Sequence, residues 1–194
     1  MTPDVRRAAL AAARLLFDQP KLSFYDLARL DVRNLTLPVN VIFDTFASYC
    51  ASTGVSRESL APHGGVEGMT VRIKGGYLVL YNEGAIERRR AWTLAHELGH
   101  IMLDHSKGAE DEEREADAFA ASLLAPLPAM HYLEQLRGAR LDVESVCGNF
   151  NLSRRASERR LEEMRAPRRN LSDVEGALML KLFGSVGASA DSKK

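Results

Sequence analysis

Cysteine, net charge and long apolar runs are all scarce in this sequence, and each shortage excludes a class of protein. Only two cysteines occur among the 194 residues, Cys50 and Cys147, and so few widely separated thiols exclude a disulfide framework. We interpret both as reduced thiols that pack as small hydrophobic side chains. The formal net charge is zero, so no overall field attracts the chain to nucleic acid or to an anionic membrane.

No apolar run approaches the ~20 residues of a membrane span. The N-terminal stretch MTPDVRRAALAAARLLF could be mistaken for a signal peptide, but Arg14 interrupts its apolar part and no cleavage-like site follows. An amphipathic helix explains this stretch better. Together with a hydrophobic fraction of 45% and a charged fraction of 27%, these features lead us to expect a cytoplasmic protein with one packed main domain and no membrane partner.

Hydrophobic periodicity predicts an α+β fold with a small antiparallel sheet at about residues 55–82. The run KGG at 74–76 predicts the turn of a hairpin between Met69–Ile73 and Tyr77–Tyr81. The predicted helices cover residues 3–18, 39–54, 85–104, 110–124, 127–137 and 172–183, with a short helical piece at 23–30 and two short helices within 141–165.

These elements divide the chain into four expected parts. Residues 1–37 form an N-terminal helical segment, 38–138 a core, and 139–184 a helical module. The segment 185–194 contains GASADSKK, which is typical of a disordered tail.

One stretch carries a chemical signature, TLAHELGHIMLDH at residues 93–105. His96 and His100 are four residues apart, so a helix places both imidazoles on one face, where they can bind one Zn²⁺. Glu97 can reach a water at that metal without being a ligand, which is the general-base position of the H-E-x-x-H motif. Leu94, Leu98 and Ile101 supply the core side of the same helix. The sequence therefore predicts a catalytic zinc site, with manganese as an alternative metal.

A third protein ligand is still needed. The extended pattern with a third histidine fails, because Ser106 stands where that histidine would be. His105 is one residue early, and we interpret it as a surface histidine at the helix end, where a positive charge suits the helix dipole.

A carboxylate from the next predicted helix, EEREADAFAASLLAP at 112–126, is the better choice. Glu113 and Asp117 are four residues apart and share one face. They suit a metal ligand and a residue that holds the free N–H of a ligand histidine, respectively. Glu115 points about 200° away from Glu113 on an ideal helix, so we expect it to be a solvated charge.

The stretches RRRAWTLAHELGHIMLDH and EREADAFAASLLAP together resemble those of ImmA/IrrE-type metallopeptidases. The resemblance covers about residues 38–126 and extends weakly to 165. By position it implies that His96, His100 and Glu113 are the zinc ligands, with Glu97 as the catalytic base and Asp117 as the residue orienting a histidine. Ala125 departs from the family, which often has methionine before the proline.

The resemblance also implies a substrate, which the composition and spacing do not. Short proteins of this kind relieve repression by a helix-turn-helix repressor of a mobile element, either by cleaving the repressor or by sequestering it. Three hypotheses stay open: a zinc endopeptidase acting on a repressor, a non-cleaving anti-repressor, and a DNA-binding regulator with structural zinc. The oxyanion-stabilising residue is not identified by the sequence, and Tyr77, Tyr81, His131 and Tyr132 are candidates.

The segment VESVCGNFNLSRRASERRLEEMR resembles a helix-turn-helix, with Ser153 as an N-cap. Its second helix carries four arginines that could face phosphates and bases: Arg154, Arg155, Arg159 and Arg160. Interleaved glutamates and the neutral whole chain make DNA binding the weaker interpretation. Docking of a repressor substrate fits this module at least as well.

Overall fold

The computed structural model describes residues 3–60, 66–106, 108–166 and 172–190, and its architecture is the predicted mixture of many helices and one small sheet. The helices are α1 (Pro3–Asp18), α2 (Phe46–Thr53), α3 (Arg57–Leu60), α4 (Glu87–Met102), α5 (Glu110–Leu124), α6 (Leu127–Arg137), α7 (Val143–Phe150), α8 (Arg154–Arg165) and α9 (Asp173–Ala190). Short 3₁₀ turns at Phe24–Arg29 and Val32–Asn34 occupy the connector after α1. The predicted bounds of α1, α4, α5 and α6 are confirmed to within two residues.

The sheet has three strands in the described part of the chain, β1 (Val41–Thr45), β2 (Gly68–Ile73) and β3 (Gly76–Tyr81), in the order β1-β3-β2. The predicted hairpin is confirmed, because β2 and β3 pair antiparallel around a turn in which Gly75 has a positive φ of 84°. β1 adds to the other side of β3 in parallel, with Val41 opposite Tyr77. The sheet is thus mixed, and β2 lies at its edge.

The prediction of a helix over residues 39–54 is wrong in its first half. Val41–Thr45 is strand β1, and the helix begins only at Phe46, capped by the Thr45 side chain, which accepts from the Ser48 N–H. The β-branched residues at 41 and 42 suit a strand. The Tyr77 N–H donates to the Asn40 carbonyl at 2.9 Å, so long-range pairing with β3 overrides a local spacing that also fits a helix.

The structure also corrects the start of the predicted sheet and the end of the last helix. Residues 57–60 form the short helix α3 instead of a strand, and 61–65 lie outside the described residues. Helix α9 continues from Asp173 to Ala190, seven residues beyond the predicted end. It therefore includes part of the segment expected to be disordered, of which residues 191–194 are not described.

Close packing of α4 on α5 fixes the geometry of the site. A Cβ added to Gly99 would lie 3.1 Å from the Ala116 Cα and 3.2 Å from the Phe119 Cβ. Ala116 and Ala120 are fully buried in the same contact. The absence of side-chain bulk at these positions lets the two helix backbones approach, which brings the ligand face of each helix toward the other.

One hydrophobic core joins most of the elements. It includes Leu94 and Leu98 of α4, Phe119 of α5, and Leu16 of α1. Helix α1 packs on α5, and α9 packs on α1 and α6, so the N-terminal helix supports α5. The division of the chain into four parts stays a prediction. Within the described residues, no helix is both long enough and apolar enough to cross a bilayer.

Candidate metal centre

Three side chains from α4 and α5 converge on one point. His96 Nε2 lies 3.1 Å from His100 Nε2 and 3.2 Å from a carboxylate oxygen of Glu113, whose other oxygen lies 3.5 Å from His100 Nε2. Both imidazoles are about four-fifths buried, whereas the Glu113 side chain is 51% exposed. The structure therefore brings together the three residues predicted as metal ligands.

These separations fit a tetrahedral zinc site. Ligands that are each about 2.0–2.1 Å from a tetrahedral Zn²⁺ lie roughly 3.3–3.4 Å from one another. The two imidazole nitrogens are 3.1 Å apart, one Glu113 oxygen lies 3.2 Å from His96, and the other lies 3.5 Å from His100, all close to that value. Two neutral imidazole nitrogens and a carboxylate oxygen are all acceptors, so a cation is the group that satisfies all three at once. The donor set thus fits a zinc ion with three protein ligands.

Asp117 contacts the ring nitrogen of His96 that is not directed at Glu113. Its Oδ1 lies 3.0 Å from His96 Nδ1, and since an ionised carboxylate only accepts, Nδ1 carries the proton. The Nε2 of neutral His96 is then unprotonated and faces Glu113. This is the arrangement predicted for Asp117, one turn after Glu113 on α5.

His105 and Glu115 form a second support, which the sequence analysis missed. His105 Nε2 lies 3.0 Å from Glu115 Oε2, and His105 Nδ1 lies 3.0 Å from His100 Nδ1. Arg7 of α1 donates to the same Glu115 oxygen. The carboxylate accepts from His105 Nε2, so Nδ1 of neutral His105 accepts from His100 Nδ1 and leaves His100 Nε2 free for the metal.

Both surface assignments in this region are therefore wrong. The His105 side chain is 4% exposed and that of Glu115 is 10% exposed. The helix geometry used for the prediction stops applying at Met102, where α4 ends. Asp104 has a positive φ of 55°, which aspartate tolerates better than most residues, and the chain turns so that the His105 N–H donates to the His100 carbonyl at 2.9 Å.

Glu115 faces neither solvent nor the metal, because α1 covers this side of α5. The ideal-helix argument correctly predicted that Glu115 and Glu113 point in different directions. The Glu115 side chain, however, points at Arg7, which is 108 residues away in sequence. Burial by itself raises the pKa of Glu115, whereas the hydrogen bonds from Arg7 and His105 outweigh burial and hold the pKa below its usual value. No local sequence signal indicates this pairing.

The two candidate ligand histidines differ in the direction of their pKa shifts. Burial lowers the pKa of His96, but the Asp117 carboxylate, with Glu97 and Glu113, outweighs burial and raises it. Burial and the neighbouring His96 lower the pKa of His100. Simultaneous protonation of both histidines is therefore disfavoured. His100 stays neutral more readily, so its unprotonated nitrogen remains directed into the site.

Glu97 lies against the edge strand β2. The Thr70 hydroxyl donates to Glu97 Oε2 at 2.7 Å, and a Cβ added to Gly68 would lie 3.2 Å from the Glu97 Cγ and 2.4 Å from the Thr93 Cγ2. Glycine at 68 is therefore what lets β2 approach α4 here. Burial raises the pKa of Glu97, although the Thr70 hydrogen bond and His96 oppose the shift. A partly buried carboxylate of raised pKa suits a general base.

A cleft of about 770 Å³ lies beside the site, and Asp117 and His105 line it. Its walls include the three metal-ligand candidates, Glu97, Thr70 of β2 and Tyr77 of β3. Among the four proposed oxyanion stabilisers, Tyr77 is the one that lines the cleft, and its hydroxyl accepts from Arg72 at 3.0 Å. Tyr81 instead binds Arg33, and Tyr132 stacks on Phe183.

The comparison with protein families agrees with this geometry. A model of the peptidase family M78, described as the IrrE N-terminal-like domain, matches residues 53–162, more than half of the chain. The chain belongs to this peptidase family. The matched segment contains β2, α4 and α5, and hence every residue of the metal centre. No curated protein and no solved structure matched.

Membership of this family supports a metal-binding role for the cluster of two histidines and one glutamate. The family is of the zinc-dependent peptidase type, and His96, His100 and Glu113 are the group in the described residues that could hold a metal ion. The expected ImmA/IrrE resemblance is thus confirmed. The Arg7 contact to Glu115 comes from α1, which lies before the matched segment.

Proposed function

We propose that the protein is a zinc-dependent endopeptidase that hydrolyses a peptide bond in a helix-turn-helix transcriptional repressor and so relieves repression. The observation that carries the peptidase part is the position of Glu97. Its carboxylate lines the same cleft as the three ligand candidates and is held there by Thr70. A zinc site with a purely structural role needs no such base.

The residues of the chain have separate tasks in this reaction. His96, His100 and Glu113 hold the metal, which when bound acts as a Lewis acid and makes water a nucleophile near neutral pH. Glu97 accepts the proton of the attacking water and delivers it to the departing amine nitrogen. Thr70 fixes the carboxylate, and Asp117 and His105 orient the two ligand histidines. Tyr77 lines the cleft where a developing oxyanion would need a hydrogen bond.

The edge strand supports binding of an extended substrate. β2 is paired to β3 on one side only, within the described residues, and it borders the cleft through Thr70. An exposed strand edge can bind a peptide as an additional strand through main-chain hydrogen bonds. A scissile bond in an extended loop of a repressor would then lie over Glu97.

The repressor as substrate rests on the resemblance to ImmA/IrrE-type proteins, and a direct experiment tests it. The purified chain is incubated with one equivalent of zinc and, in turn, with each helix-turn-helix repressor of its host organism, and the products are analysed by gel and mass spectrometry. We expect one cleavage, absent with Glu97→Gln and with added EDTA. An intact repressor that nevertheless releases its operator in the presence of the wild-type chain would favour the non-cleaving anti-repressor instead.

A further inference from the structure

A second concavity adjoins the metal centre and has a very different charge. This groove, of about 870 Å³, lies between α4, α5 and α8. We call it the arginine groove, because arginines from all three helices line it: Arg88, Arg89, Arg114, Arg154, Arg155, Arg159 and the largely buried Arg160. Asp117 and Glu163 are its acidic lining residues. A chain with zero net charge therefore concentrates positive charge beside its candidate active site.

The arginine groove is continuous with the cleft. Arg89, Trp92 and Asp117 line both concavities. A polypeptide whose scissile bond lies at Glu97 can therefore extend past Trp92 into the groove without leaving the surface. Asp117 has one oxygen on His96 and the other 3.9 Å from Arg159 of α8, so the same residue borders the metal centre and the groove.

Some of the arginines are already engaged, and others are not. Arg154 pairs with Glu144 at 2.6 Å, and Arg114 lies 3.7 Å from Glu110. Arg88 and Arg155 are exposed and have no ion-pair partner among the described residues. These two guanidinium groups are available for carboxylates of a ligand, with which arginine forms strong two-point hydrogen bonds.

The predicted arginine surface of α8 is only partly available to a partner. Arg160, one of the four arginines expected to face DNA, is 5% exposed, and its Nε donates to the Ala125 carbonyl at 2.8 Å. Arg159 faces Asp117. The remaining groove is also partly apolar, since Ile86, which is 74% exposed, and Ala118 line it. Mixed apolar and cationic lining suits a peptide better than a phosphate backbone.

We propose that the arginine groove binds an acidic segment of the polypeptide substrate, next to the bond that is cut. This inference rests on the proposed peptidase function and specifies its substrate: an extended segment with Asp or Glu on one side of the scissile bond and an apolar side chain for Ile86. Charge complementarity of this kind selects partners and orients them in the cleft.

Binding to the zinc-loaded full chain carrying Glu97→Gln tests the proposal without any turnover. The probes are fluorescein-labelled 12-residue peptides of alternating alanine and glutamate, the same peptide with glutamine, and a 20-base-pair DNA duplex of random sequence. We expect the acidic peptide to bind at least about threefold more tightly than the glutamine peptide, the contribution of two exposed ion pairs. This preference should shrink as the salt concentration rises.

A matched pair of double variants locates the binding surface. Arg88→Gln with Arg155→Gln removes the two unpaired groove charges and should abolish the preference for the acidic peptide. Arg29→Gln with Arg140→Gln makes the same change in net charge at exposed arginines outside the groove. This control should retain the preference for the acidic peptide. Equal binding of the acidic and glutamine peptides, or equal loss in both double variants, would overturn the proposal.

The DNA probe and a hydrolysis assay separate the remaining outcomes. The DNA duplex could bind the wild-type chain and the control variant but not the groove variant, while the two peptides bind alike. The groove would then be a nucleic-acid surface, and the proposal would be wrong. Hydrolysis of an unselected peptide library by the wild-type chain tests the peptidase function by itself. A chain that binds acidic peptide in the groove yet cuts no peptide would contradict that function and leave the acidic preference standing.

Discussion

His105 Nδ1 lies 3.0 Å from His100 Nδ1, and this contact determines which nitrogen of His100 faces the metal centre. Glu115 accepts from the far side of His105, so the proton between the two rings belongs to His100. A histidine outside the H-E-x-x-H motif thereby fixes the tautomer of His100, one of the three candidate ligands. Support of this kind typically changes metal affinity by about 10-fold to 100-fold.

Replacing His105 by leucine should weaken zinc binding by about 10-fold to 100-fold. His105→Asn should recover part of the affinity, because its side-chain oxygen can accept from His100 Nδ1. Competition with a chromophoric chelator measures the affinity, and ¹⁵N NMR of the histidine rings in the metal-free chain reports the tautomer of His100. An unchanged tautomer and affinity in the leucine variant would show that His105 only fills space.

Thr70→Val tests the link between the edge strand and the general base. The Thr70 hydrogen bond stabilises ionised Glu97 and opposes the rise in its pKa caused by burial. Removing it raises the Glu97 pKa further, and a general base is active only when deprotonated. The acidic limb of the pH profile of kcat/KM should therefore move to higher pH, with little change on the alkaline side. Conservative Thr70→Ser should keep the wild-type profile.

Glu115→Gln should lower the free energy of unfolding by about 1–3 kcal/mol at pH 7, as expected for hydrogen bonds to a buried charged group. The folded-state pKa of Glu115 lies below its unfolded value, so this stabilisation is present above the unfolded pKa of about 4.3. It is lost as the pH falls through the lower folded-state pKa. Urea unfolding at pH 7, 5, 4 and 3 should show a constant difference from pH 7 to 5, with the wild type converging on the variant as the pH falls below 4.

Glu110→Gln is the matched control for that measurement. Glu110 is on the same helix, 89% exposed and 3.7 Å from Arg114, so its replacement should have nearly no effect at any pH. A difference between wild type and Glu115→Gln that stays constant down to pH 3 would mean that ionisation of Glu115 does not contribute to stability.

Close approach of α4 and α5 at Gly99 can be tested against an open helical glycine. A Cβ at Gly99 meets backbone atoms of Ala116, which cannot rotate away, whereas a Cβ at Gly148 of α7 meets nothing within 4 Å. Gly148→Ala should raise stability by up to ~1 kcal/mol through helix propensity. Gly99→Ala should lower stability, and it should weaken zinc binding because Glu113 is displaced with α5. Equal gains in thermal stability for both variants would contradict this packing.

The sequence predicts those parts of the molecule that depend on local periodicity. Helix bounds for α4 and α5, the β2–β3 hairpin, and the placing of Glu113 and Asp117 on one face all follow from spacings of two or about four residues. The convergence of Glu113 on His96 and His100 then needs only that two adjacent helices pack with their ligand faces together.

Other features depend on contacts between distant residues or on chain reversals, and spacing does not reveal them. Strand β1 is extended because β3 pairs with it, and Glu115 is buried because Arg7 comes from α1. His105 returns to the site through a left-handed residue at Asp104. The local signal for this chain reversal is Asp104 itself, because aspartate adopts left-handed backbone conformations more often than most residues.

Glu97→Gln provides the most direct test of catalysis at this metal centre. Glutamine retains the shape of the side chain but cannot accept the proton, and Glu97 is not among the ligand candidates. We predict one equivalent of zinc in both the wild-type and variant chains by mass spectrometry. Turnover of a cleaved substrate should fall by at least about 100-fold in the variant, whereas Glu113→Gln should lose zinc as well. Wild-type turnover by a fully zinc-loaded Glu97→Gln chain would contradict the assignment of Glu97 as the general base.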